Sequence, residues 1–103
     1  MIEKADPPNI QKYLAERDIF LIELKTARWD AREARNNEAH RVYYTELSNR
    51  CLTNAAAALV WMEESCKKQE IPSKYSADIR RMRRMYESSN QDIREKQQQE
   101  LVA

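Results

Sequence analysis

The sequence predicts an all-α protein: an up-down-up three-helix bundle of long helices with coiled-coil-like packing and a tendency to form oligomers. Three observations carry this. None of the 103 residues is glycine, so the left-handed turns and close backbone approaches that make hairpins and phosphate-cradling loops cheap are hard to build. Apolar side chains recur at steps of three and four along most of the chain, which is the period of a helix face and not the alternation of a strand. Strong breaks in that pattern fall at two internal places, Asn36-Asn37 and Pro72.

A single domain over 1–103 follows, with the first helix expected at 8–35. Asp6 can cap its orphan amides, and proline at the first helical position gives up no needed hydrogen bond. Asn36-Asn37 is the expected turn, since asparagine is the non-glycine residue that best tolerates a left-handed C-terminal cap. Without a turn there, the first two helices would fuse into a rod of about 60 residues that buries its seam only against another chain. The second helix is expected at 38–70, ended by Pro72, which disfavours helix at Ile71. Ser73 or Ser76 can cap the third, expected at 74–99 with Ser88-Ser89-Asn90 as a soft spot. Residues 1–6 and 100–103 read as frayed tails.

Helical wheels assign the faces. The third helix carries Tyr75, Ile79, Met82, Tyr86, Ser89 and Ile93 in one narrow stripe. The second carries Leu52, Ala55, Leu59, Met62 and Cys66, joined by Tyr44, Leu47 and Cys51, with Ala55 to Ala58 slim enough for close packing. The first has a stripe of Ile10, Tyr13, Leu14, Leu21, Leu24 and Ala31 with Phe20 on its flank, yet Ile19, Ile22 and Trp29 project from the opposite side. Trp61 and Tyr43 likewise point away from the main stripe of the second helix.

Composition bounds the function. Charged residues make up 34% of the chain and the mean hydropathy is −0.91, so little apolar material is left to hide two opposite faces of one helix. The net charge of +1 rules out a whole-molecule attraction to nucleic acid or anionic membranes and leaves only local clusters. The start resembles no secretory signal, and the longest apolar run, Ala55 to Met62, is far short of the roughly 20 residues of a membrane span. Cys51 and Cys66 sit on one helix about 22 Å apart, beyond the reach of a disulfide. They read as buried thiols of an intracellular, reducing, cytoplasmic protein.

Two constellations are candidates for binding. Ile19-Phe20-Leu21-Ile22 with Trp29 and Trp61, flanked by Arg28, Arg32 and Arg35, has the aromatic and arginine character of interface hot spots. A slightly rotated bundle would bury these residues internally; the polar composition favours an interface with a copy of itself or with another protein. The second constellation is basic: Lys74, Arg80, Arg81, Arg83 and Arg84 against Asp78. The four arginines fan over about 160° of the wheel and could grip phosphates or acidic protein surface. In the plainer alternative they are solvated, with Arg83 or Arg84 paired to Glu87.

Catalysis and cofactors are not expected. His40 is two residues from Glu38 and shares no helix face with it, so no metal pair forms. Without glycine there is no P-loop, dinucleotide fingerprint or nucleophile elbow. The expected function is a non-enzymatic protein-protein interaction module, an adaptor, chaperone-like partner or inhibitor, of a size and polarity that fit phage- or plasmid-encoded accessory proteins. The main rival is nucleic-acid binding through the Arg80 to Arg84 face.

Overall fold

The computed structural model describes residues 8–102; Asp6, Pro7, the expected tail at 1–6 and Ala103 lie outside them. Helix α1 spans Pro8–Asn36, α2 Arg41–Lys67 and α3 Ser76–Val102, and no strand occurs among the described residues. Single 3-10 turns, Glu38–His40 and Ser73–Tyr75, lead into α2 and α3. The second helix is therefore shorter at both ends than 38–70, and the third runs on to Val102.

Cross-helix bonds establish the up-down-up order. Ser48 Oγ donates to the Ala27 carbonyl at 2.7 Å and Asn54 Nδ2 to Glu23 Oε1 at 3.0 Å, so α2 runs back along α1. Arg83 reaches Glu63, and Arg94 Nη1 donates to Asn49 Oδ1 at 2.8 Å, so α3 returns along α2. The three helices form an elongated bundle with Cα extents of 63 × 21 × 14 Å.

The turns solve the missing-glycine problem in two ways. Asn37 breaks α1 with φ −134° and ψ 86°, extended and not left-handed as expected. The left-handed residue is Gln69, at φ 63°. Its amide donates to the Cys66 carbonyl at 3.0 Å, and the Glu70 amide to the Ser65 carbonyl at 2.9 Å, the paired bonds of a Schellman motif. A side chain in that conformation costs about 1–2 kcal/mol, which the two bonds and the burial of the adjacent Ile71 offset.

Seam composition decides how closely the helices approach. On α1 the buried apolar residues are Tyr13, Phe20, Leu24, Ala27 and Ala34, stepping by seven, four, three and seven. Leu21, expected in the core, is 40% exposed while Phe20 is fully enclosed. The seam is rotated because Ala27 and Ala34 belong to it, and alanines contribute little to an apolar stripe on a wheel. On α2, Ser48 bonds the Ala27 carbonyl, and Ala55 and Ala58 are buried farther along the helix. Small side chains on both sides let α1 and α2 pack tightly along their length. The third helix brings Ile79, Met82 and Ile93 with half-buried Tyr86, and the 3-10 turn before it brings half-buried Tyr75. These larger groups lean chiefly on α2 and leave α3 standing off α1. The Tyr13 and Tyr75 rings, 4.5 Å apart, join α1 to the start of α3.

Two stability outcomes follow. Leu59→Ala, at a fully enclosed site, is expected to lower unfolding free energy by about 2–5 kcal/mol in urea melts. Gln69→Gly removes the left-handed penalty and is expected to raise it by about 1 kcal/mol; no gain would mean that the turn relaxes at no cost.

Candidate functional site

Because α3 stands off α1, an open groove runs between them. A hollow of about 550 Å³ is lined by Leu21, Leu24, Lys25, Thr26, Arg28, Trp29 and Arg32 of α1 and Met85 of α3. A second, of about 630 Å³, is lined by Arg28 of α1 and Arg81, Arg84, Met85, Ser88, Ser89 and Asp92 of α3. Arg28 and Met85 belong to both. The groove thus joins part of the aromatic constellation to part of the basic one, a juxtaposition that wheels drawn one helix at a time do not reveal.

The exposed apolar residues adjoin it. Ile19, Ile22 and Trp29 are 43, 61 and 50% exposed, and with Thr26 they step by three, four and three along the outside of α1. Thr26 and Trp29 also line the groove. The Trp29 ring meets Tyr44 edge-on at 6.2 Å, and Tyr44 meets the exposed Tyr43 at 5.2 Å, so the indole is held in place. Trp61 differs from expectation: it is half-buried, packs against the core, and carries the Lys12 ammonium 4.9 Å over its ring.

The basic residues of α3 divide between two hollows, and two of them are ion-paired. Arg83 donates from Nε to Glu63 Oε2 at 2.8 Å and from Nη2 to Glu63 Oε1 at 2.6 Å, a bidentate tie between α3 and α2 in place of the helical pairing with Glu87. Those bonds raise the guanidinium's affinity for its proton above the usual arginine range. Arg81 is paired with Asp78 at 3.2 Å. Arg81 and Arg84 turn toward the α1 side, while Arg80 and Arg83 line a hollow against α2 that also touches Arg84. Lys74 lies 5.3 Å over the Tyr75 ring at the other end of the turn.

Cys51 Sγ is 4.0 Å from the buried Asp30 carboxylate. Burial, then the charge and hydrogen bond of Glu23 and the charge of Asp30, push the thiol up to about 11, which leaves it a poor nucleophile near neutrality. Burial and then Glu33 raise the Asp30 carboxyl. Both cysteines are free and half-buried, less enclosed than expected. His40 is exposed with Nδ1 3.2 Å from Asn37 Oδ1. Among the described residues no group of three or more His, Cys, Asp or Glu is arranged to hold a metal ion, and no described helix is long and apolar enough to cross a membrane.

Compared with protein-family models, with curated proteins and with solved structures, the chain matches none of them.

The Cys51 environment sets a pH dependence. The unfolded thiol ionises near pH 9.0 and the folded one near 11, so its contribution is intact below about 9 and lost as pH rises toward 11. Tyr13, raised by burial, titrates in the same direction. Urea melts at about pH 8 and about pH 10.5 are therefore expected to show a smaller alkaline loss for Cys51→Ala than for the parent; identical losses would show that the thiol is not desolvated.

Proposed function

We propose that the chain is a non-enzymatic cytoplasmic protein-protein interaction module, an adaptor, chaperone-like partner or inhibitor, that docks through the α1–α3 groove and the adjoining Ile19, Ile22 and Trp29 stripe. The observation that carries this reading is the sharing of Arg28 and Met85 by two hollows, which makes one continuous surface with an apolar floor and an arginine rim. Full burial of a large apolar side chain contributes about 1.5–3 kcal/mol. Three that are roughly half exposed still leave several kcal/mol for a partner to recover. The fixed Trp29 ring loses little rotamer freedom on binding, and arginine around an aromatic anchor suits a hot spot.

Phosphate binding by Lys74, Arg80, Arg81, Arg83 and Arg84 is less well supported. Arg83 is tied to Glu63 and Arg81 to Asp78, so a nucleic-acid backbone would meet an interrupted row of charges and no track of evenly spaced cations.

Photo-crosslinking from position 22 in the native host tests the proposal. One protein adduct is expected. Trp29→Ala should reduce it by tenfold or more while shifting the melting temperature by less than about 4 °C. Absence of any protein adduct defeats the docking reading, and an equal loss of folding stability returns Trp29 to a structural role. Titration with a labelled DNA duplex at two salt concentrations tests the rival: steeply salt-dependent binding that disappears in the Arg80→Ala/Arg84→Ala double variant would establish it.

A further inference from the structure

We infer that the α1–α3 groove takes an acidic amphipathic helix from a different protein, which lies along α1 and α3 as a fourth helix of the bundle. This rests on the docking reading above and narrows it to one occupant.

Shape comes first. From Leu21 to Arg32 the α1 wall of the groove is about 16 Å long, roughly three helical turns. Its floor is apolar, made by Leu21, Leu24 and Met85, of which Leu21 is 40% and Met85 38% exposed. A helix presenting apolar residues at i, i+3 or i+4, and i+7 meets a floor of that length, and helix-in-groove recognition uses that spacing.

Charge selects the occupant. Lys25, Arg28 and Arg32 step by three and four along the α1 rim, and Arg81 and Arg84 stand on the α3 rim. Among the described residues, none of Lys25, Arg28, Arg32 or Arg84 has an acidic group within salt-bridge distance. On α3 the one acid lining the groove, Asp92, is engaged by Lys96 at 3.3 Å, and Asp78 by Arg81 at 3.2 Å; Glu87 lines neither hollow. Two acids of α1 turn the other way, Glu23 bonding Asn54 of α2 and Asp30 facing Cys51, and none of α1's acids lines either hollow. An occupant with Asp or Glu on both edges of its apolar stripe would place anions against both rims. A second copy docking through the same groove would set these cations against their own images, which disfavours self-association there. Nucleic acid would satisfy the rims but leave Leu21, Leu24 and Met85 against a polar backbone.

Panning a displayed library of peptides, each about 16 residues or three to four helical turns, on the full chain tests the inference. Enriched peptides are expected to carry apolar residues at the helical spacing with Asp or Glu on both sides. Their binding should weaken at least about tenfold in Met85→Gln and in Arg28→Glu/Arg84→Glu, and weaken with added salt. Both variants change exposed residues, and unchanged circular dichroism would confirm that they fold. Lys-for-Glu versions of the peptides should recover binding to the charge-reversed variant. Enrichment of neutral, basic or proline-rich peptides overturns the inference, as does binding indifferent to these substitutions. So would a doubled mass by light scattering that Met85→Gln returns to a single copy, or a single-stranded oligonucleotide that binds with the same Arg28 and Arg84 dependence. A protein adduct at position 22 without acidic-helix enrichment leaves the docking module standing and removes only its occupant; loss of both removes both.

Discussion

The rest of the molecule depends on a mismatch in side-chain size between its two helix interfaces. Between α1 and α2 the seam is built on Ala27, Ala34, Ala55, Ala58 and Ser48, all buried, and the backbones come close enough for Ser48 to donate to the Ala27 carbonyl. Small groups lose little entropy on burial and leave room for dispersion contacts between backbones. Leu52, Leu59 and Met62 of α2 and Ile79, Met82 and Ile93 of α3 belong to the same buried cluster, and interaxial distance grows with the side chains between. Once α3 is placed by α2, the α1–α3 line is left partly open. The groove is thus a by-product of core composition, not of a dedicated loop or insertion.

That arrangement also explains where polar bonds are spent. The Arg83–Glu63 pair and the Arg94, Gln97 and Asn49 cluster both join α2 to α3, whose backbones approach over a shorter stretch than those of α1 and α2. Bidentate geometry gives such a pair more worth than an ordinary surface ion pair, and two fixed bonds set register as well as attraction. At the far end, Asn9 Nδ2 donates to the Glu70 carbonyl at 3.0 Å, so the start of α1 braces the turn that carries the left-handed Gln69. A chain without glycine needs such support for its tightest turn.

Much of this was legible in the sequence because it follows from period and breakers. The stripe from Tyr75 to Ile93 lies inward as its spacing requires, whereas α2 stops at Lys67 with the left-handed Gln69, short of the Pro72 expected to end it. The exposure of Ile19, Ile22 and Trp29 was legible for the same reason. What escaped was carried by residues with weak hydropathy signals. Ala27 and Ala34 rotate the α1 seam and expel Leu21, and Ser48 and Ser65 are buried although hydroxyls count as polar. Gln69 in a left-handed conformation had no local signature, since asparagine is the better candidate on intrinsic grounds and the chain places its expected turn asparagines at Asn36-Asn37 instead. The Arg83–Glu63 bond joins residues 20 apart in the chain, and no single-helix wheel can anticipate it. The groove escaped for the same reason: its two walls belong to different helices.

A net charge of +1 conceals how unevenly charge is distributed around α1. Glu23 and Asp30 turn toward α2, where Asn54 and Cys51 receive them, while Lys25, Arg28 and Arg32 turn toward α3. Like charges at helical steps of three and four destabilise an isolated helix by a few tenths of a kcal/mol per pair, and a groove with low-dielectric walls screens them less than open water does. The folded chain therefore holds a row of mutually repelling cations beside an apolar floor, an arrangement that costs stability in the free protein and is relieved by an anionic apolar occupant. An apolar floor alone would accept any greasy helix, including a copy of α1 itself. On the proposed reading, the cationic rims would make that surface discriminate by charge, a second copy of the same chain being among the occupants they disfavour.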